Sequence, residues 1–223
     1  MPTRFSFSAS KEKMKRQFNL DIKKELQQSF NIGANQNAYI LTNESLELQI
    51  FRWGLIPHWA KDKAVGTNLI NAKLEGIGSQ LSFRLPIRQR RCLVFADSYY
   101  IWRKEGRDTQ PYRVQLNTGD LMTFAGVWDV WLDQNGQSYR TFSIITTPAN
   151  DKLQKLGVTR MPAIIETGAE RTQWLGEQSL PNALDLLTTL EDNLIDFYPV
   201  SEAVNSLDNN YPELHKPVDA KSL

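Results

Sequence analysis

Apolar residues recur at every fourth position from Met14 through Phe18 and Ile22 to Leu26, with lysines and glutamates between them. That spacing predicts an amphipathic helix from about Ser10 to Ser29, laying one stripe on a core. The period then changes. Tyr39-Ile40-Leu41, and the alternation Leu46, Leu48, Ile50 leading into Trp53, read as strands. Cys92-Leu93-Val94-Phe95-Ala96 is apolar without a break, as expected of a strand buried on both faces. Tyr112 to Leu116 alternates, Asn117-Thr118-Gly119-Asp120 supplies a turn, and Leu121 to Trp131 is strongly apolar; together they predict a hairpin. Tyr139 to Thr147 and Met161 to Ile165 predict two more strands. Thr167 and Glu170 have the spacing of a capping box that opens a helix through Trp174 and Leu175, and Asn182 is placed to cap a second through Leu184, Leu187 and Leu190. A strand-rich middle with helices at both ends, without internal repeat or linker, predicts one α+β domain over residues 1–223.

Composition narrows the function. Twenty-six basic and 25 acidic side chains leave a formal charge of +1, and 41% hydrophobic with 23% charged residues is ordinary globular usage. A disordered tail or coiled coil is excluded, and a strongly electrostatic nucleic-acid binder is disfavoured, although a local basic groove is not. The N-terminus lacks an apolar signal region, and no stretch reaches the roughly 18–20 apolar residues of a membrane span. The chain is expected to be soluble and cytoplasmic, to avoid membranes and to act as a monomer.

Common chemistries fail one by one. One cysteine, Cys92, and two histidines, His58 and His215, do not make a four-ligand zinc site unaided. No phosphate-cradling loop is present, and Leu81 breaks the dinucleotide pattern begun by Gly76-Ile77-Gly78. No metal or cofactor is expected. Cys92 reads as inert core, because burial raises a thiol pKa. His58 reads as a structural or rim residue, His215 as a solvated tail residue, and Arg88, Arg90 and Arg91 as a solvated face. Arg52-Trp53 and Trp59-Ala60-Lys61 pair aromatics with cations, as single-stranded nucleic acids require, though each tryptophan also suits a core.

Five blocks, in order, carry a resemblance. Arg52-Trp53-Gly54-Leu55-Ile56-Pro57-His58-Trp59-Ala60-Lys61-Asp62, Asn71-Ala72-Lys73-Leu74-Glu75, the run from Arg91 to Trp102, Arg160-Met161-Pro162, and Tyr198-Pro199-Val200-Ser201 with Val204-Asn205 resemble the blocks of the SOS-response-associated peptidase (SRAP) family of abasic-site processing proteins. The resemblance implies a twisted, barrel-like β core flanked by helices and a groove for single-stranded or abasic DNA. It also implies a chemistry. An N-terminal cysteine amine forms a Schiff base with the abasic aldehyde, its thiol closes a thiazolidine ring, and a glutamate, a histidine and an asparagine position the sugar and move protons.

The chain departs from this pattern at three of those four positions. Pro2 stands in place of the cysteine, Ile101 of the glutamate and Val158 of the histidine, while Asn71 keeps the asparagine. By the same resemblance Arg4, Trp59, Asn71, Lys73, Thr146 and Arg160 contact DNA, with Arg4, Lys73 and Arg160 converging beside Asn71; Arg4 and Arg160 equally suit structural ion pairs. Three readings follow: a binder of single-stranded or abasic DNA that has lost the crosslinking chemistry, a lyase-type enzyme acting through a Pro2 amine freed by removal of Met1, and a scaffold that does not bind DNA.

Overall fold

The computed structural model describes residues 1–105 and 108–219. Twelve strands run in the order β1 (Arg4–Phe7), β2 (Ser29–Gly33), β3 (Asn37–Thr42), β4 (Ser45–Trp53), β5 (Asn71–Lys73), β6 (Arg91–Ala96), β7 (Ser98–Glu105), β8 (Asp108–Leu116), β9 (Met122–Leu132), β10 (Ser138–Pro148), β11 (Arg160–Pro162) and β12 (Ile195–Pro199). Among the described residues five short α-helices intervene: α1 (Lys11–Phe18), α2 (Pro86–Gln89), α3 (Asp151–Gln154), α4 (Gly168–Leu175) and α5 (Leu180–Asp185).

Strands β10, β4, β3, β6 and β9 pair in that order, and β9 returns to β10, closing a mixed barrel in which only β4 and β10 run parallel. Closure leaves no exposed edge along most of the circuit. Alternation sorts the strands' side chains to the two sides of the wall. Trp53, Val94, Phe124, Phe142 and Ile144 point inward. Leu93, Val127 and Ile145 point outward beneath Ile87 of α2, Trp174 of α4 and Ala183 of α5. A second, antiparallel sheet of order β12-β8-β7-β1-β2 covers the barrel interior. Phe5 of β1 stands edge-on to Trp53 at 5.0 Å and to Phe124 at 6.0 Å, so the aromatic core is shared between sheet and barrel. The expected α+β class and barrel-like core are both observed.

Several local expectations are corrected. The first helix ends at Phe18, because Asn19 turns left-handed (φ 54°) and its N–H bonds Lys15 O. Leu20, Ile22 and Leu26 still pack on the core from an irregular segment, since the stripe records burial rather than helix. The turn at Asn117–Gly119 exists, but β8 pairs with β7 and β12 whereas β9 pairs with β6 and β10, so the turn crosses between sheets and makes no hairpin. Ser179, not Asn182, caps α5. The last predicted strand lies earlier, at Arg160–Pro162. The capping box of Thr167 and Glu170 forms as expected. Cys92 is fully buried and its thiol is pushed well above the ordinary range by burial.

Three residues overturn their readings. Arg91 is 3% exposed and donates to the carbonyls of Ile87, Arg88, Trp174 and Gly176, tying α2 and α4 to the barrel wall; Arg90 pairs with Asp129. His215 lies under cover, edge-on to Phe30 at 4.9 Å and 3.9 Å from Asp97, because the chain after β12 folds back along Pro199 and Val200. Among the described residues no helix is long and apolar enough to cross a membrane.

Candidate functional site

The site forms where β5 and β11 flank the end of β10. Asn71 lies opposite Ile144 and Lys73 opposite Thr146 in parallel register, while Arg160 lies opposite Pro148. The asparagine side chain reaches the N-terminal segment: its Nδ2 donates to Pro2 O at 2.7 Å. Pro2 is buried, and the following strand β1 is held between β7 and β2. Phe5 pairs with Tyr99 and Ser6 with Ser98, so the residues before β1 continue toward the Ile101 end of β7.

Arg160 is committed on three sides. Its Nε donates to Thr146 Oγ1 at 2.9 Å, Nη2 also donates to Thr146 O, and the fork grips Glu75 at 3.2 and 2.8 Å. Thr146 itself is fully buried and donates to Ala72 O at 3.3 Å. The Arg160 hydrogen bond holds the Glu75 carboxyl below the usual range, against the opposing effect of burial. Burial, with Arg160 nearby, likewise lowers the α-amine of Met1, which favours its neutral, nucleophilic form. Glu75 is the site residue to which sequence reasoning assigned no role. The signal for it was present in the block that supplied Asn71 and Lys73.

Two polar atoms have no protein partner although buried: Asn71 Oδ1 and Arg4 Nε. Arg4 Nη1 bonds only the adjacent Thr3 O, at 2.9 Å. Gly33 gives the guanidinium room, since a Cβ there would stand 3.1 Å from Nη1 and 2.5 Å from Leu207 Cδ2. Lys73 is exposed, and its charge adds to the lowering of the Glu75 carboxyl. Ile101 and Val158 are 5% and 9% exposed and belong to the same apolar cluster as Phe5 and Met161. Neither side chain can carry a proton.

The structure thus brings Pro2, Asn71, Lys73, Thr146 and Arg160 together and sets β1, with Arg4, beside them. Trp59 stands apart on the loop after β4, 45% exposed, with no hydrogen bond or ring contact tying it to this cluster among the described residues. The same residues offer no group of three or more metal-binding side chains. A groove of about 860 Å³ lies elsewhere, lined by α1, β3, β6 and α4.

A closed mixed barrel, covered by a second sheet that threads the chain's N-terminal residues onto an asparagine at the barrel rim, defines a recognisable class of protein. The chain belongs to the SOS response associated peptidase (SRAP) family, whose profile matches residues 1–207. It is 35% identical over 219 residues to the abasic site processing protein YoqW of Bacillus subtilis, covering 95% of this chain and 97% of that one. It is 32% identical over 200 residues to rat abasic site processing protein HMCES, covering 75% of this chain and 56% of the relative. A crystal structure of a Bacteroides thetaiotaomicron protein superposes with a TM-score of 0.86 at 29% identity, covering 97% and 99% of the two chains.

Proposed function

We propose that this protein binds single-stranded or abasic-site-containing DNA in the response to DNA damage, and that it has lost the thiazolidine-forming chemistry. Relatives named as abasic site processing proteins support the DNA partner. The observation that carries the loss is the pairing of Pro2, which has no thiol, with Ile101 and Val158, which are buried and apolar. Binding needs less than catalysis. Arg4 and Lys73 offer cations and Asn71 Oδ1 offers an acceptor, while Glu75 and Thr146 hold Arg160 back from a phosphate.

The test is an abasic oligonucleotide. Binding is expected to be modest and to weaken with salt as counterions are released. No adduct should survive heating in denaturant, because the ring cannot close without sulfur. Arg4→Ala should weaken binding while leaving the fold intact. A heat-stable adduct formed without reductant would overturn the loss of chemistry, and no binding at low salt would favour the scaffold. Pro2→Cys alone should restore little, since a positioned acid or base typically contributes about 10²–10⁴-fold.

The burial of Pro2 against Asn71 favours one further reading. If Met1 is removed, the Pro2 secondary amine would add to the abasic aldehyde and lose water to give an iminium. Borohydride would reduce that iminium to a stable amine. Trapping as strong as that of a cysteine-bearing relative would establish this enzyme. Trapping that is absent or feeble is the expected result.

A further inference from the structure

Asp129 projects from β9 on the outer wall of the barrel and is fully buried beneath the loop that follows β4. The loop reaches that wall through Gly54, at φ +124°, where an added Cβ would meet Gly66 O at 2.6 Å. Both carboxylate oxygens are engaged. Oδ2 accepts the backbone N–H of His58 at 2.9 Å and faces His58 Nδ1 at 3.0 Å. Oδ1 accepts Val130 N–H at 2.8 Å and pairs with Arg90. With donors on every side, the carboxylate is an acceptor only, so the hydrogen between it and the ring belongs to Nδ1. That fixes the tautomer and leaves Nε2 as the outward nitrogen of a side chain 47% exposed.

Anchoring the loop does not require the ring. The His58 amide already bonds Asp129, Ile56 N–H bonds Thr141 Oγ1 at 2.8 Å, and Trp131 Nε1 bonds Ala60 O at 2.7 Å. The Nδ1 contact adds direction: an aimed imidazole beside the exposed indole of Trp59. The loop also starts next to the N-terminal site. Leu55 N–H bonds Leu69 O at 3.1 Å, and Trp53 Nε1 bonds Ile70 O at 2.7 Å, immediately before Asn71. His58 follows Leu55 by three residues, a reach of at most about 10 Å.

We infer that His58, aimed by Asp129, is a phosphate-binding subsite whose Nε2 donates to a phosphodiester oxygen of a single strand while Trp59 stacks a neighbouring base. The subsite rests on the DNA-binding reading above and extends it from the rim to the outer wall. Asp129 of β9 faces the ring, Arg90 following α2 pairs with the other oxygen of Asp129, and Lys61 and Asp62 come after His58 in the same loop. Arg90 balances Asp129. A bound phosphate places the imidazole between two anions, so it takes up a second proton as the strand docks.

The test uses the full chain and a fluorescein-labelled oligothymidylate near neutral pH, with affinity followed against salt and proton uptake by calorimetry in two buffers of different ionisation enthalpy. His58→Gln should bind about 3- to 10-fold more weakly, take up no proton and lower the slope of log K against log salt by up to about 0.7. His58→Arg should restore affinity and slope without restoring proton uptake, an outcome that a loop staple would not produce. Unchanged affinity, slope and proton uptake in His58→Gln overturns the subsite and leaves DNA binding standing. Wild type that fails to bind the oligonucleotide at low salt overturns both.

Discussion

Strand β1 connects two polar environments of opposite character. At its start, Pro2 meets Asn71, and two buried atoms, Asn71 Oδ1 and Arg4 Nε, lack a protein partner. At its end, Ser6 and Ser8 are bound to the buried carboxylate of Asp97. Ser6 Oγ donates to Oδ1, while Ser8 N–H and Oγ–H both donate to Oδ2 at 2.5 Å. Ser98 adds a bond at 3.2 Å, and Arg113 approaches at 3.4 Å while also bonding Ser98 at 2.7 Å and the Tyr198 hydroxyl at 2.6 Å. Buried polar groups are nearly always satisfied, so the saturated Asp97 carboxylate reads as architecture, although the nearby His215 Nε2 lacks a hydrogen-bond partner, and the unpartnered atoms at the rim read as space for a ligand. The hub fixes β1, and β1 delivers the N-terminus to the rim.

The largest effect expected from this contrast is on stability at the hub. Asp97→Ala strands Arg113 and three hydroxyls in a covered site and should cost about 3–5 kcal/mol in urea unfolding, as breaking a buried pair does. A loss below about 1 kcal/mol would dissolve the distinction between the two ends.

Acid should act through the same hub. Burial pushes His215 down to about 4; Asp97 opposes that shift and Arg113 adds to it. The unfolded chain, with an imidazole near 6.5, therefore binds more protons than the folded chain between those values. Stability should be full above about pH 6.5 and fall as pH drops toward 4, by on the order of 3 kcal/mol. His215→Phe should flatten that segment of the stability profile. An unchanged slope in the variant would show that the hub is not the acid-sensitive element.

The smallest effect on stability belongs to the rim. Glu75→Gln removes a partly exposed ion pair and should cost no more than about 1 kcal/mol. The same change frees one edge of Arg160, so affinity for single-stranded DNA should rise a few-fold. Weaker binding would mean that Glu75 orients Arg160 productively, and would move the rim toward the architectural side of the comparison.

Much of this was legible from residue order. The unbroken run Cys92–Ala96 declared a strand covered on both faces, and the Thr167–Glu170 spacing declared a helix start, because both signals are local. His215 was misread, since a histidine followed by Lys216-Pro217 has the composition of a solvated tail. Its burial depends on a chain return that pairs Val200 with Pro217. Arg90 and Arg91 were misread for a related reason: their partners are Asp129 and the carbonyls of α2 and α4, and neither a charge run nor a spacing reports those.

The sequence alone determined family and class, and it placed Pro2, Ile101 and Val158 where the resemblance implies a cysteine, a glutamate and a histidine. Motif order survives divergence, and no fold gives Pro2 a thiol or Ile101 and Val158 a proton to transfer. Only the tertiary structure decided which strands share a sheet, that Asp97 and Asp129 are buried, and that Arg160 is held by Glu75. Those outcomes depend on contacts between residues dozens of positions apart, where closing the barrel and burying the aromatic core, rather than local propensity, select each strand's partners.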